Sequence, residues 1–234
     1  PNFLLFQLFG TLPALFGVYY SLTEWSGIGE PVFVGMENYL RMMQDTKFWE
    51  SMLRTCVYVV ISLPLIMAVP LLLASMLVKE IRARGLFRAI FYWPSMISYI
   101  VVGISFKFIF GDNTGIINYL LELFGQAKIG WLTENATAMA VVILATVWSR
   151  SGCYMITYIS GLQSIPESYY EAAEVDGASA PAKFFKITLP LLTPTIFFNL
   201  VMQMINGFLA FTQCYIITQG KPMNSTLLYT VYMY

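Results

Sequence analysis

Ser164-Ile-Pro-Glu-Ser-Tyr-Tyr-Glu-Ala-Ala-Glu-Val-Asp-Gly-Ala-Ser-Ala-Pro-Ala-Lys-Phe-Phe-Lys-Ile-Thr-Leu189 separates two long apolar segments, and its polarity decides how the chain is read. Charged residues make up only 11% of the protein, yet this stretch holds Glu167, Glu171, Glu174, Asp176, Lys183 and Lys186. Such a concentration between apolar runs marks a surface displayed outside a bilayer, where a partner can bind. Ser164 followed three residues on by Glu167 reads as a capping box, opening a short helix that carries Tyr169, Tyr170, Ala172 and Ala173. Gly177, directly after Asp176, can take a positive φ and stop that helix. Pro181 suits the first turn of a second helix, and Pro190 with Pro194 marks the junction with the next apolar segment. The expectation is a helix, a tight turn and a second helix, with alanines that permit close approach.

Outward from this stretch the chain is apolar. Hydrophobic residues make up 58%, mean hydropathy is +0.67, and Lys+Arg 13 balance Asp+Glu 13. A neutral chain of this kind gives no electrostatic reason to expect nucleic acid as a partner. A helix of about 20 apolar residues crosses the hydrocarbon layer. By that measure the candidate spans are Pro1–Leu22, Ser51–Val78, Ala89–Phe110, Ala136–Gln163 and Leu191–Thr218, with a sixth starting at Leu227. The fold class expected is all-α, a polytopic integral membrane bundle. The chain starts on Pro1 and ends inside the apolar run Tyr229–Tyr234, so both ends read as truncated. Tyr19, Tyr20 and Trp25 sit where an interfacial belt is expected, so the first span reads as a permanent anchor rather than a cleaved signal.

Orientation follows from basic residues. The connection Lys79–Arg88 carries Lys79, Arg82, Arg84 and Arg88 against Glu80, a cytoplasmic mark. The Ser164–Leu189 loop lies two spans later and so falls on the same side. Arg41, Lys47, Lys128 and Lys221 are placed outside.

The pattern Glu171-Ala172-Ala173, Asp176-Gly177-Ala178 and Ile187-Thr188-Leu189-Pro190 resembles the EAA loop of bacterial ABC importer permeases. The resemblance runs from about Gly35 to the end, through Gly35-x-x-Asn38-Tyr39, Arg84-Gly85-Leu86-Phe87-Arg88, Pro94, Gly115-Ile116-Ile117-Asn118, Trp131-Leu132 and Gly161-Leu162-Gln163-Ser164-Ile165-Pro166. It is closest to the carbohydrate-importing subset, similar to the maltose and glycerol-phosphate permeases, and departs from it at Thr218–Pro222. The resemblance implies a type I importer permease of about six transmembrane helices, the last truncated, with residues 1–234 as one permease domain in a bacterial inner membrane. It implies that residues 164–190 form a cytoplasmic coupling loop docking on an ATP-hydrolysing subunit, with Glu171, Ala172, Ala173, Asp176, Gly177, Ile187, Leu189 and Pro190 carrying the coupling. The partners implied are a second permease, identical or paralogous, two ATP-binding subunits, an extracytoplasmic solute-binding protein and a carbohydrate, in all expectation an oligosaccharide. ATP and Mg belong to the partner subunits, and no cofactor is assigned to this chain. Residues of Gly27–Ser51 and of the Asn113–Asn135 loop are candidates for contact with the binding protein, or are plain solvated connectors.

A permease needs polar side chains along one helix face. Asn199, Gln203, Asn206, Ala210 and Gln213 follow i, i+4, i+7, i+11, i+14 spacing, and amides that both donate and accept suit sugar hydroxyls. The same amides could instead bond to neighbouring helices as packing glue. A second stripe holds Arg150, Cys153 or Tyr154, Thr157, Tyr158 and Gly161, with Trp148 nearby. An arginine inside a span is expensive unless it pairs or lines a hydrated cavity, so Arg150 marks either a substrate path or an ordered subunit interface.

Enzyme chemistry is absent from the pattern. With no histidine, Ser-His-Asp and Cys-His arrangements and histidine metal sites are excluded. Cys56, Cys153 and Cys214 each fall in an expected span and read as buried free thiols. No Gly-x-x-x-x-Gly-Lys-Ser/Thr loop is present, so the energy source is another polypeptide. A permease for a polyamine, phosphate or amino acid is the alternative, and it calls for charged lining residues. A secondary transporter or channel calls for intramembrane carboxylates or an internal repeat, and neither is visible.

Overall fold

The computed structural model describes residues 1–79 and 81–234. Glu80, the acid read in the basic connection, lies outside the described residues. The chain divides into two compact units, Pro1–Glu50 and Ser51–Tyr234.

In the first unit, α1 (Asn2–Ser21) is a 20-residue apolar helix with none of its residues buried by protein. Apolar surface of that length takes lipid or another chain as its surroundings. A two-residue antiparallel ladder follows, β1 (Thr23–Glu24) against β2 (Val32–Phe33), a local pairing within the all-α class that the sequence predicts. The turn between them is made by Gly27 and Gly29 at φ +87° and +86°, a region closed to most side chains. Trp25 closes it, donating from Nε1 to the Gly29 carbonyl at 2.9 Å and stacking on Tyr20 at 4.6 Å. From α2 (Glu37–Gln44), Asn38 Nδ2 donates to the carbonyls of Ser21 and Thr23, and the Tyr39 and Ser21 hydroxyls meet at 2.7 Å. Asn38 and Tyr39 thus direct their polar groups at the exit of α1. Arg41 pairs with Glu37 at 2.6 Å and Glu24 at 3.7 Å, and that hydrogen bond and those charges push its pKa above the ordinary value.

The remaining helices are α3 (Thr46–Leu77), α4 (Arg84–Met96), α5 (Tyr99–Ile109), α6 (Ile116–Leu123), α7 (Asn135–Gln163), α8 (Ser168–Val175), α9 (Ala180–Leu191), α10 (Thr193–Phe208), α11 (Thr212–Thr218) and α12 (Tyr229–Tyr232). Among the described residues, α1, α3 and α7 are each long and apolar enough to cross a membrane. The pairs α4+α5 and α9+α10, bent by 97° and 65°, raise the number to five if each pair is one span. The expected span Ala89–Phe110 is therefore not one straight helix. Pro94 sits in a 3-10 turn, Ile97 is extended at ψ 137°, and Ser98 restarts the chain as an N-cap accepting from Ile100 N–H. Leu191–Thr218 is likewise interrupted, by a non-helical stretch from Leu209 to Phe211.

The second unit is organised around α7. Of its most apolar window 67% is buried, against 28% for α3. Tyr58, Val59, Ile66, Val102, Phe106 and Ile217 cluster with Val141 and Val142 of its first half, and Ala74, Leu77, Leu192 and Ile196 with Met155, Tyr158 and Leu162 of its second. Gly152 makes the close approach possible, since a Cβ there would collide with the Phe91 carbonyl and the Tyr92 backbone of α4. Several residues of the resemblance tie elements together. Arg84 and Arg88 donate to the carbonyls of Val78 and Leu77, satisfying the end of α3 where a cation also suits the helix dipole. Buried Asn118 donates to the carbonyls of Asp112 and Ile129 and accepts from Ile129 N–H and Trp131 Nε1–H, so Asn118 and Trp131 knot their loop together.

Of the cysteines, Cys214 is buried and Cys56 half-buried, but Cys153 is exposed. The helix turns Tyr154 rather than Cys153 inward, correcting the expectation of three buried thiols.

Candidate functional site

The Ser164–Leu189 stretch folds as helix, turn and helix. The capping box is not formed. Ser164 ends α7 and its hydroxyl donates back to the Gly161 carbonyl at 2.7 Å, while Glu167 precedes α8 without a side-chain cap. Ser164 is thus claimed by the last turn of α7, and Pro166, which cannot continue that helix, lets a new one begin beyond it. The stop signal is as expected. Gly177 has φ +73°, its N–H bonds the Glu174 carbonyl at 3.0 Å, and the Ala178 N–H bonds the Ala173 carbonyl at 2.8 Å, the paired bonds of a Schellman motif. Pro181 lies in the first turn of α9.

Two side-chain contacts hold α8 to α9. Lys183 Nζ meets Glu174 Oε1 at 2.6 Å, and the hydroxyls of Tyr170 and Thr188 lie 2.9 Å apart. The Lys183 hydrogen bond, then its charge, holds the Glu174 carboxyl below its ordinary pKa. No residue of α8 is buried, and Glu171, Ala172, Asp176 and Gly177 are exposed, with Ala173 half-buried. Val175 is 89% exposed, and Tyr169 and Phe185 are exposed as well. Ile187 and Leu189 are half-buried and Pro190 exposed, at the approach to the 65° bend that leads into α10.

The second site is a cavity of about 190 Å³ inside the second unit, open on one side. Tyr58 of α3, Tyr99 of α5, Thr146 and Arg150 of α7, and Asn206 of α10 face it, together with Leu209–Cys214. The break after Phe208 makes this wall. Leu209 leaves the helix at φ −92°, ψ 9°, and Phe211 has φ −132°, ψ −63°. Non-helical backbone at membrane depth persists where protein buries it or it lines a cavity, and Leu209, Ala210 and Phe211 line this one.

The amides of the first stripe consequently do not share one face. Gln213 belongs to α11, where its amide donates to Ser149 Oγ at 2.8 Å and accepts from Thr146 Oγ1 at 3.0 Å. Asn206 reaches the cavity half-buried. Asn199 and Gln203 are buried in the α7–α10 seam, Asn199 at 2.9 Å from Thr157 Oγ1 and Gln203 accepting from Arg150 Nη1 at 3.5 Å. Arg150 also lies over the Tyr99 ring at 5.3 Å, and buried Tyr154 interacts with Asn206 and Arg150. Sequence reasoning missed Tyr58, whose hydroxyl bonds Thr146 Oγ1 at 3.1 Å, and Tyr99, Thr146, Ser149 and Thr212. Thr146 lies four residues before Arg150 and three before Ser149 along α7, a spacing that could have flagged it and, through it, Ser149.

Residues 39–234 match the family described as "Binding-protein-dependent transport system inner membrane component". The chain is 40% identical over 234 residues to the probable ABC transporter permease protein YesP of Bacillus subtilis, covering 98% of this chain and 75% of that one. It is 33% identical over 223 residues to the probable starch degradation products transport system permease protein AmyD of Thermoanaerobacterium thermosulfurigenes, covering 95% and 76%. Its fold superposes, with a TM-score of 0.86 and 24% identity, on a chain of a bacterial ABC transporter involved in import of the acidic polysaccharide alginate, covering 100% of this chain and 80% of that one. With an exposed helix–turn–helix between apolar helices and a polar cavity among them, the chain belongs to the inner membrane components of binding-protein-dependent ABC transport systems, as a permease subunit.

Proposed function

We propose that the chain forms half of the path through an ATP-driven importer and moves an oligosaccharide handed over by an extracytoplasmic binding protein. The observation that carries the mechanism is α8, a helix with no buried residue, closed by a Schellman turn and tied to α9, which continues through a bend into cavity-lining α10. The exposed face of α8, with Glu171 and Val175, seats in a cleft of an ATPase subunit on the cytoplasmic side. A second permease, paralogous or identical, does the same on a second ATPase. Closure of the ATPase pair draws the loops together and opens the cavity outward, and hydrolysis, with ATP and Mg held by those partners, returns it inward.

The carbohydrate assignment is supported by the relative named for starch degradation products and by a cavity of hydroxyls and amides. Tyr58, Thr146, Asn206, Thr212 and Gln213 offer both donors and acceptors to sugar hydroxyls. Import of a polyamine is disfavoured, because Arg150 would repel it from the same wall. Co-purification of tagged chain with an ATPase, followed by ATP-driven uptake of labelled oligosaccharides in proteoliposomes with the binding protein, tests the reading. Sugar-stimulated hydrolysis is the expected result. Stimulation by an amino acid, phosphate or a polyamine, and by no sugar, would replace the substrate class and leave the importer intact.

A further inference from the structure

We infer that the solute carries a carboxylate, in the manner of a uronate-containing oligosaccharide, and that Arg150 receives it; this rests on the carbohydrate reading above. The argument is one of unmatched charge. Arg150 lines the cavity, yet among the described residues no Asp or Glu does. Of the helices that line it, α5, α7, α10 and α11 contain no acidic residue, and α3 has only Glu50, eight residues before Tyr58. The contacts the guanidinium does make are those of a cation still awaiting its anion. Gln203 Oε1 is neutral and 3.5 Å away, at the edge of hydrogen-bonding distance, the Tyr154 hydroxyl that also meets Arg150 is neutral, and the Tyr99 ring at 5.3 Å offers a quadrupole rather than a charge. Arg150 Nε is buried and has no partner, and neighbouring Gln203 Nε2 is in the same condition. Both atoms are donors. Gln203 does not line the cavity, so the donors behind the guanidinium leave its charge uncompensated from the protein side, and at the face that lines the cavity a carboxylate matches the planar guanidinium with two oxygens. A neutral sugar would satisfy donors one hydroxyl at a time and leave the charge uncompensated in a low-dielectric site. The hydroxyl and amide wall opposite, from Tyr58 to Thr212, then serves the rest of the sugar.

The test uses the assembled importer in nanodiscs without its binding protein, held with a non-hydrolysable ATP analogue, so that the permease's own preference is read. The probes are trisaccharides of galacturonate, glucuronate and mannuronate, each paired with its methyl ester, which keeps the ring and removes the charge. At least one acid is expected to bind more tightly than its ester by about ten- to a hundredfold, the usual worth of a hydrogen bond to a charged group. Arg150→Gln is expected to erase that difference and Arg150→Lys to keep part of it, with both variants eluting as intact complexes. Equal binding of acid and ester, or binding of neutral trisaccharides alone, would overturn the inference and leave the carbohydrate reading standing. Binding of no sugar, acidic or neutral, would overturn both.

Discussion

Gly177 holds φ at +73° with nothing within 4 Å of where its Cβ would be, so a substitution there meets strain in the backbone and no steric obstacle. For an L side chain the left-handed region costs about 1–2 kcal/mol, enough to lower the population of this turn by roughly 5- to 30-fold. A β-branched residue is worse, whereas asparagine visits the region readily. We expect Gly177→Val to reach the membrane at normal levels but lose most ATP-driven uptake, and Gly177→Asn to keep most of it. Quantitative membrane blots beside uptake rates check this, and wild-type uptake by the valine variant would refute the role given to the turn. Arg150 illustrates the opposite economy: a charge at the centre of a span costs about 2.5–3.5 kcal/mol on insertion scales. Only a compensating interaction in the working complex explains a residue of that cost.

At the scale of elements, α8 and α9 are clasped from the side by Glu174 and Lys183 as well as joined by the turn. The carboxyl pKa is depressed in the folded loop, so the contribution of the clasp is fully present above the unfolded carboxylate pKa and fades as pH falls through the lower folded value. Hydrogen exchange of the Ser168–Lys183 amides should therefore hold steady from neutral pH down to about 4–5, after correction for intrinsic rates, and quicken below the ordinary carboxylate range. Glu174→Gln should show the quickened pattern already at pH 7. A variant exchanging like wild type would mean that Tyr170 and Thr188 hold the pair unaided.

Much of the helix–turn–helix was legible because glycine and proline announce themselves: Gly177 gave the stop and Pro181 the restart. The capping box misled because Ser164 had a competing acceptor in Gly161, a contest between two helices that spacing cannot adjudicate. The interruption after Phe208 was illegible for a different reason. No proline or glycine lies between Phe208 and Thr212, and the break is held by distant partners such as Thr230, whose hydroxyl bonds the Ala210 carbonyl. Periodicity therefore joined Asn199 to Gln213 across a gap. Arg150 and Asn206, each on an unbroken helix, do line one cavity together.

For the whole molecule, the positive-inside rule predicts one orientation from the basic residues of Lys79–Arg88. If Lys79–Arg88 and Ser164–Leu189 face the cytoplasm, a cysteine at Val175, where exposure is 89%, should react with a membrane-impermeant maleimide in inside-out vesicles and resist it in intact cells. A cysteine at Lys221 should do the reverse. Labelling of both positions from one side would invalidate the topology. No residue of α1 is buried, and an apolar helix of 20 residues left in that state suits lipid as its surroundings.

The unwound wall from Leu209 to Phe211 has a bearing on how selectivity in this transporter is to be mapped. Peptide groups there are shared by every amino acid, so an alanine scan would score these positions as silent even if a solute touched them in each transport cycle. Genetic screens for altered diet would then converge on Asn206 and Arg150 and pass over the intervening main chain. Only changes to the chain itself, such as a proline or an ester in place of an amide, would make that stretch visible.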